Sequence, residues 1–193
     1  MTLQVTYLDE FKAARGDQWL SRYPIVKIGG ESPRKALVKK YAWAVPEPAA
    51  IHVIVGFARK IVEIGAGTGY WASLIAAAGG DIVAYDPQPY ENGWCDGYWF
   101  DVHVGDEKAV LDHQDRALFL CWPPYAEPVA ENALKLYKGN KVIYIGEGHG
   151  GCTGTDEFHD ALGKDWQLIE SVWLPQWEGL HDDVELYVRR RVP

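Results

Sequence analysis

Three runs carry residues that could bind or act on a ligand. The first, Val62-Glu63-Ile64-Gly65-Ala66-Gly67-Thr68-Gly69-Tyr70, sets three glycines at alternate positions behind a β-branched stretch. Glycines so spaced let a chain turn sharply off a strand and let a phosphate or carboxylate approach backbone N–H groups at a helix start. In the dinucleotide fingerprint the third glycine would stand at position 70, where this chain has tyrosine, which weakens the pyrophosphate reading. Two acids follow at the ends of apolar runs, Asp86 after Ile82–Tyr85 and Asp106 after Trp99–Val104. At the carboxyl ends of strands in an open α/β sheet, one such acid could bridge a ribose diol and the other accept from an exocyclic amine.

The second run is Cys121-Trp122-Pro123-Pro124-Tyr125, and the third holds Glu147 and His149 in a glycine-rich stretch, with His181-Asp182-Asp183 further on. A carboxylate and an imidazole at a strand end are candidates to orient or deprotonate a nucleophile. Trp122 can donate a hydrogen bond but cannot accept one, so with Tyr125 it reads as an aromatic wall for a flat or cationic group. His149 and Cys152, with His159 and Asp182, include metal-ligand types, but their spacing matches no closed zinc pattern and no metal is expected.

The elements that must position these residues follow from hydrophobic runs and their punctuation. Lys60–Ile64, Ile82–Tyr85, Trp99–Val104, Ala117–Cys121 and Lys141–Ile145 read as strands, each ending at glycine, aspartate or Trp-Pro-Pro. Ala49–Ala58, Tyr70–Ala78, Glu107–His113, Glu127–Tyr137 and Phe158–Leu162 are helix-compatible. The alternation predicts an α/β fold around a largely parallel sheet. Gln167–Leu174 and Val184–Arg190 are strand-like and joined closely enough to form an antiparallel hairpin. Pro46 and Pro48 divide an N-terminal arm or lid, residues 1–48, from a domain over 49–193. Tyr41 and Trp43 could fold over a ligand from that arm or pack against the helix that follows.

With 193 residues, 48% hydrophobic and 24% charged, the chain suits one folded domain with no membrane span. A net charge of −8 argues against collecting polyanions, which lowers nucleic acid as a partner. Three cysteines without a C-x-x-C pair, behind a polar opening with no leader-like pattern, point to a reducing cytoplasm. Nine tryptophans exceed what a core this size needs, so some should line a pocket or serve a homodimer surface.

VEIGAGTGYWA, IVAYDPQP, VGDEKAV and LFLCWPPY, in this order, resemble the class I S-adenosylmethionine-dependent methyltransferases over roughly residues 49–190. YAWAVPEP, GEGHGGCT and LPQWEGLHDDVELY are similar to small stand-alone bacterial and viral members without an established substrate. The resemblance implies a Rossmann-like, seven-stranded, mostly parallel sheet with an antiparallel C-terminal hairpin, and S-adenosylmethionine as cofactor. It implies that Gly65 and Gly67 pass the methionine part, Glu63 steadies the loop, Asp86 holds the ribose and Asp106 meets the adenine amine, with Ala66 and Gly69 also among the cofactor-binding residues. CWPPY resembles the N-P-P-Y or D-P-P-Y signature of amino-methyltransferases, but Trp122 stands where the amide or acid would accept from the target nitrogen. A small-molecule or side-chain acceptor is therefore expected, in a pocket drawn from Trp122, Pro123, Tyr125, Glu147, His149, Trp173, Trp177 and His181. Alternatives are base methylation with a degenerate motif and a cofactor-binding pseudoenzyme acting through a protein partner.

Overall fold

A computed structural model describes residues 3–18, 20, 33–90 and 92–191; the parts of the expected arm at 1–2, 19 and 21–32 lie outside them. Seven strands form one sheet: β1 (Lys60–Ile64), β2 (Asp81–Asp86), β3 (Val102–Val104), β4 (Ala117–Cys121), β5 (Lys141–Gly146), β6 (Trp166–Trp173) and β7 (Asp183–Arg189). Their order is β3-β2-β1-β4-β5-β7-β6. β1 to β5 pair in parallel, and β7 runs antiparallel to both β5 and β6. The mostly parallel sheet closed by a reversed hairpin is thus as the residue pattern and the resemblance predicted.

The helices are α1 (Thr6–Arg15), α2 (Pro33–Lys40), α3 (Pro48–Phe57), α4 (Tyr70–Ala77), α5 (Val129–Leu136) and α6 (Asp156–Asp165). Parallel strands covered on both faces are nearly continuous apolar runs, as β4 (ALFLC) is and β5 (KVIYIG) is after its first residue, Lys141. On β1, Ile61 joins a core shared with α3 and α4, while Val62 and Ile64 join a second core under α5 and α6. Glu47 starts α3 by accepting from the N–H groups of Ala49 and Ala50, and Pro48 occupies its first turn.

Two elements differ from expectation. The strand expected over Trp99–Val104 is confined to Val102–Val104, because the backbone before it pairs elsewhere: Trp99 N–H donates to the Thr68 carbonyl, and the Phe100 carbonyl accepts from Tyr90 Oη. Glu107–His113 forms a 3-10 helix rather than an α-helix. The described part of residues 1–48 is continuous with the core over α3 and α4: Tyr7, Leu8, Phe11, Leu37, Val38, Tyr41, Ala44 and Val45 are buried in it.

Candidate functional site

The glycine run leaves β1 with Gly65, Gly67 and Gly69 all in the left-handed region, at φ of 78°, 57° and 77°. A side chain at position 69 would strike Phe100 Cβ at 2.6 Å, and one at 67 would meet Asn92 Nδ2 at 2.8 Å, whereas the space before Gly65 is open. The loop's N–H groups are largely spent on the protein itself. Those of Gly65 and Ala66 donate to the Tyr85 carbonyl and that of Gly69 to Ala66. That of Gly67 donates to Asp86 Oδ2 at 2.8 Å. A cradle of free amides for a pyrophosphate is absent from this turn, and what faces it instead is acid.

Asp86, buried at the end of β2, joins the loop to its own strand, since Oδ1 accepts from Gln88 N–H at 2.8 Å. Beneath the loop Glu63 is 2% exposed, and its Oε2 has no hydrogen-bond partner. Burial first, and the nearby Asp86 charge second, push its carboxyl up to about 8. Asp106 lies further along this edge and is exposed. Its Oδ1 accepts from Lys108 N–H at the start of the 3-10 helix, and its Oδ2 lies 3.5 Å from Lys108 Nζ.

On the β4 side, Trp122 adopts φ 53°, a backbone conformation rare for a bulky residue. Three contacts fix it: its N–H donates to the Ile145 carbonyl, its Nε1 donates to Asp182 Oδ2 at 3.0 Å, and its ring stacks on Trp43 at 4.9 Å. Arg34 lies over the same Trp43 ring at 5.2 Å, and Trp94 meets its edge. Burial pushes the Asp182 carboxyl up to about 7, against the Trp122 hydrogen bond. The carbonyl of Pro123 accepts from Gly154 N–H and is engaged within the fold.

Glu147, just past β5, is buried and splits its oxygens between two backbone donors, Oε1 to His181 N–H and Oε2 to Cys152 N–H, both at 2.9 Å. Burial raises its carboxyl, but hydrogen bonds from Cys152 and His181 outweigh that and bring it below the ordinary range. It ties the Gly148–Cys152 loop to the β6–β7 connection, and with His149, Cys152, Gly179 and His181 it lines an open depression of about 550 Å³.

The structure thus gathers Glu63, Gly65, Ala66, Gly67, Gly69 and Asp86 at one turn, and Glu147, His149 and His181 around one depression. His149 leans toward α6, 3.6 Å from Asp160. Tyr125 is exposed, Trp173 is half-buried at the end of β6, and Trp177 is buried with Nε1 donating to Tyr7 Oη, edge-on to Phe11. Residue patterns missed Asp182 as the partner of Trp122, Asn92 against the glycine loop, and Gln176, whose Nε2 donates to the Asp182 carbonyl. The single signal for Asp182 was its place in a run of polar residues between two strands.

No family model and no curated protein sequence matches the chain. Among solved structures, it is similar to Burkholderia thailandensis 1,6-didemethyltoxoflavin-N1-methyltransferase with bound 1,6-didemethyltoxoflavin and S-adenosylhomocysteine. That likeness has a TM-score of 0.55 and 18% identity, over 95% of this chain and 90% of the other. It is also similar to the magnesium protoporphyrin IX methyltransferase of Synechocystis PCC 6803, at a TM-score of 0.50 and 9% identity, over 96% and 99% of the two chains. Strand order, hairpin and these likenesses agree that the chain has the Rossmann-like fold of the class I S-adenosylmethionine-dependent methyltransferases.

Proposed function

We propose that the protein is an S-adenosylmethionine-dependent methyltransferase acting on a small molecule or a protein side chain. The observation that carries this reading is the glycine turn, which spends its amides internally and presents buried acids, Glu63 and Asp86, where a dinucleotide site would present free N–H groups. The unpartnered Glu63 oxygen fits a ligand with an ammonium group, and the open face of Gly65 gives it room.

In this reading Glu63, Gly65, Ala66, Gly67 and Gly69 hold the methionine end. Asp86 takes the ribose hydroxyls with lone pairs left by Gly67 and Gln88, and Asp106 meets the adenine amine. The cofactor supplies a methyl group on a sulfonium, so the protein's part is to hold an acceptor in line with it and to receive a proton where the acceptor carries one. The acceptor side is drawn from Trp122, Pro123, Tyr125, Glu147, His149, His181, Trp173 and Trp177. Trp122 acts as a wall fixed by Asp182 and Trp43, and Glu147 orients through His181. His149 and His181 are the nearer candidates to accept a proton, because both Glu147 oxygens already bind backbone donors.

Base amino-methylation is disfavoured because the side chain at position 122 offers no acceptor for a target amino group. The test is calorimetric titration with S-adenosylmethionine and S-adenosylhomocysteine, followed by an acceptor screen with methyl-labelled cofactor. Micromolar binding lost in Asp86→Ala supports the reading, and a folded protein that binds neither overturns it. Binding without methylated product from any extract would move the function to a partner protein.

A further inference from the structure

Glu63 is a buried carboxyl group with one oxygen left unheld. Its Oε2 is buried and unpartnered, and the charged neighbour felt by the group is another acid, Asp86 on β2. From β4 comes the half-buried Cys121, whose thiol is pushed up by desolvation and then by Glu63 and Asp182. Among the described residues no Lys, Arg or His faces it as a counter-ion. An ionised carboxylate in that setting would be buried, unpaired and next to a like charge, which folded proteins avoid by keeping the proton. Asp86 has the opposite surroundings, because each of its oxygens accepts from a backbone N–H, those of Gly67 and Gln88.

We propose that Glu63 carries a proton in the free protein and gives it up when the ammonium end of S-adenosylmethionine arrives beside it, so that binding releases one proton to solvent. The inference rests on the methyltransferase reading. The balance is simple: Glu63 COOH becomes carboxylate, the proton goes to buffer, and the ligand keeps its ammonium because pH 7 lies below the α-amino range. Glu63 thereby becomes the counter-ion of the ligand and not merely a brace for the loop. A burial burden carried by the free protein turns into selectivity, since a ligand lacking the cation leaves the proton in place.

The experiment is calorimetric titration at pH 7.0 in phosphate and in imidazole, whose ionisation heats differ, so that the change in apparent binding heat counts the protons exchanged. With S-adenosylmethionine we expect release close to one proton per site and an affinity that rises with pH, up to tenfold per unit between pH 6 and 7.5. With 5′-methylthioadenosine, which lacks the amino-acid end, we expect no release. Glu63→Gln should bind more weakly, without release and with a flat pH dependence. If that variant does not fold, the two ligands on the parent protein decide the matter. S-adenosylmethionine binding with the same heat in both buffers, or equal release with methylthioadenosine, overturns this inference and leaves the methyltransferase reading standing. Absence of binding by the folded parent overturns both.

Discussion

Trp122 sits at φ 53°, a position that costs a bulky side chain of order ~1–3 kcal/mol, and its surroundings hold it there through Asp182, Ile145 and Trp43. The pair Trp122–Asp182 could not be read from the sequence, because sixty residues separate the partners and neither belongs to a periodic pattern. Asp86 could be read, because a strand end 19 residues beyond the glycine turn is a position dictated by the βαβ path itself. Trp122→Phe keeps a ring for Trp43 but removes the indole donor, leaving Asp182 buried without it. Urea unfolding should show a loss of about 1–3 kcal/mol, and an unchanged midpoint would mean that the bond contributes nothing. Asp86 and Asp106 should also separate. Asp86 organises the loop through Gly67 and, in its proposed role, also meets the ligand, whereas Asp106 is exposed and its carboxylate is engaged with Lys108. Asp86→Ala should weaken S-adenosylmethionine by tenfold or more and Asp106→Ala by less, with equal losses in calorimetry counting against this division of roles.

Among the elements, the segment between β2 and β3 departs most from what hydrophobic runs suggest, and the reason is physical. Trp99 and Phe100 look like strand residues by type, yet Trp99 gives its backbone N–H to Thr68 and its Nε1 to the carbonyl of Lys40 on α2. The aromatic residues serve as a clamp over the glycine turn, a long-range role that local apolar content cannot reveal. β1, β4 and β5 are legible because their burial is nearly continuous, and β2 because its burial alternates, whereas the edge strand β6 is largely exposed. The clamp explains why position 69 must be glycine: a Cβ there would overlap Phe100 and Val102 in addition to meeting the left-handed backbone. Gly69→Ala should therefore destabilise the protein by about 1–3 kcal/mol by overpacking alone. It should also increase hydrogen exchange at the Trp99 amide, which reports the bond to Thr68. Stability kept at the parent level would show that the clamp moves aside freely.

At the scale of the whole molecule, two buried acids leave a mark on stability. Glu63 rises from 4.5 to about 8 and Asp182 from 3.8 to about 7 on folding. For an acid whose folded value lies above its unfolded one, the native state binds the extra proton. Its contribution is therefore complete below the unfolded value and is lost as pH rises through the folded one. Glu147 has the opposite sign but titrates below its ordinary value of 4.5, and His113, lowered from 6.5 chiefly by burial, is neutral folded and largely neutral unfolded above pH 7. Between pH 7 and 8, then, Glu63 dominates, and its share alone should cost the free protein stability at a slope approaching about 1.4 kcal/mol per pH unit at the lower end, with Asp182 adding to it nearest pH 7. Glu63→Gln should flatten that slope, and Asp182→Asn should flatten the part nearer pH 7. Saturating S-adenosylmethionine should abolish the Glu63 share, because the carboxyl is already ionised in the complex. Thermal unfolding with and without ligand across this window checks all three. A parent melting temperature that is level from pH 7 to 8 would mean that Glu63 is ionised in the free protein, and the loop would then have to hold its charge by contacts other than those seen here.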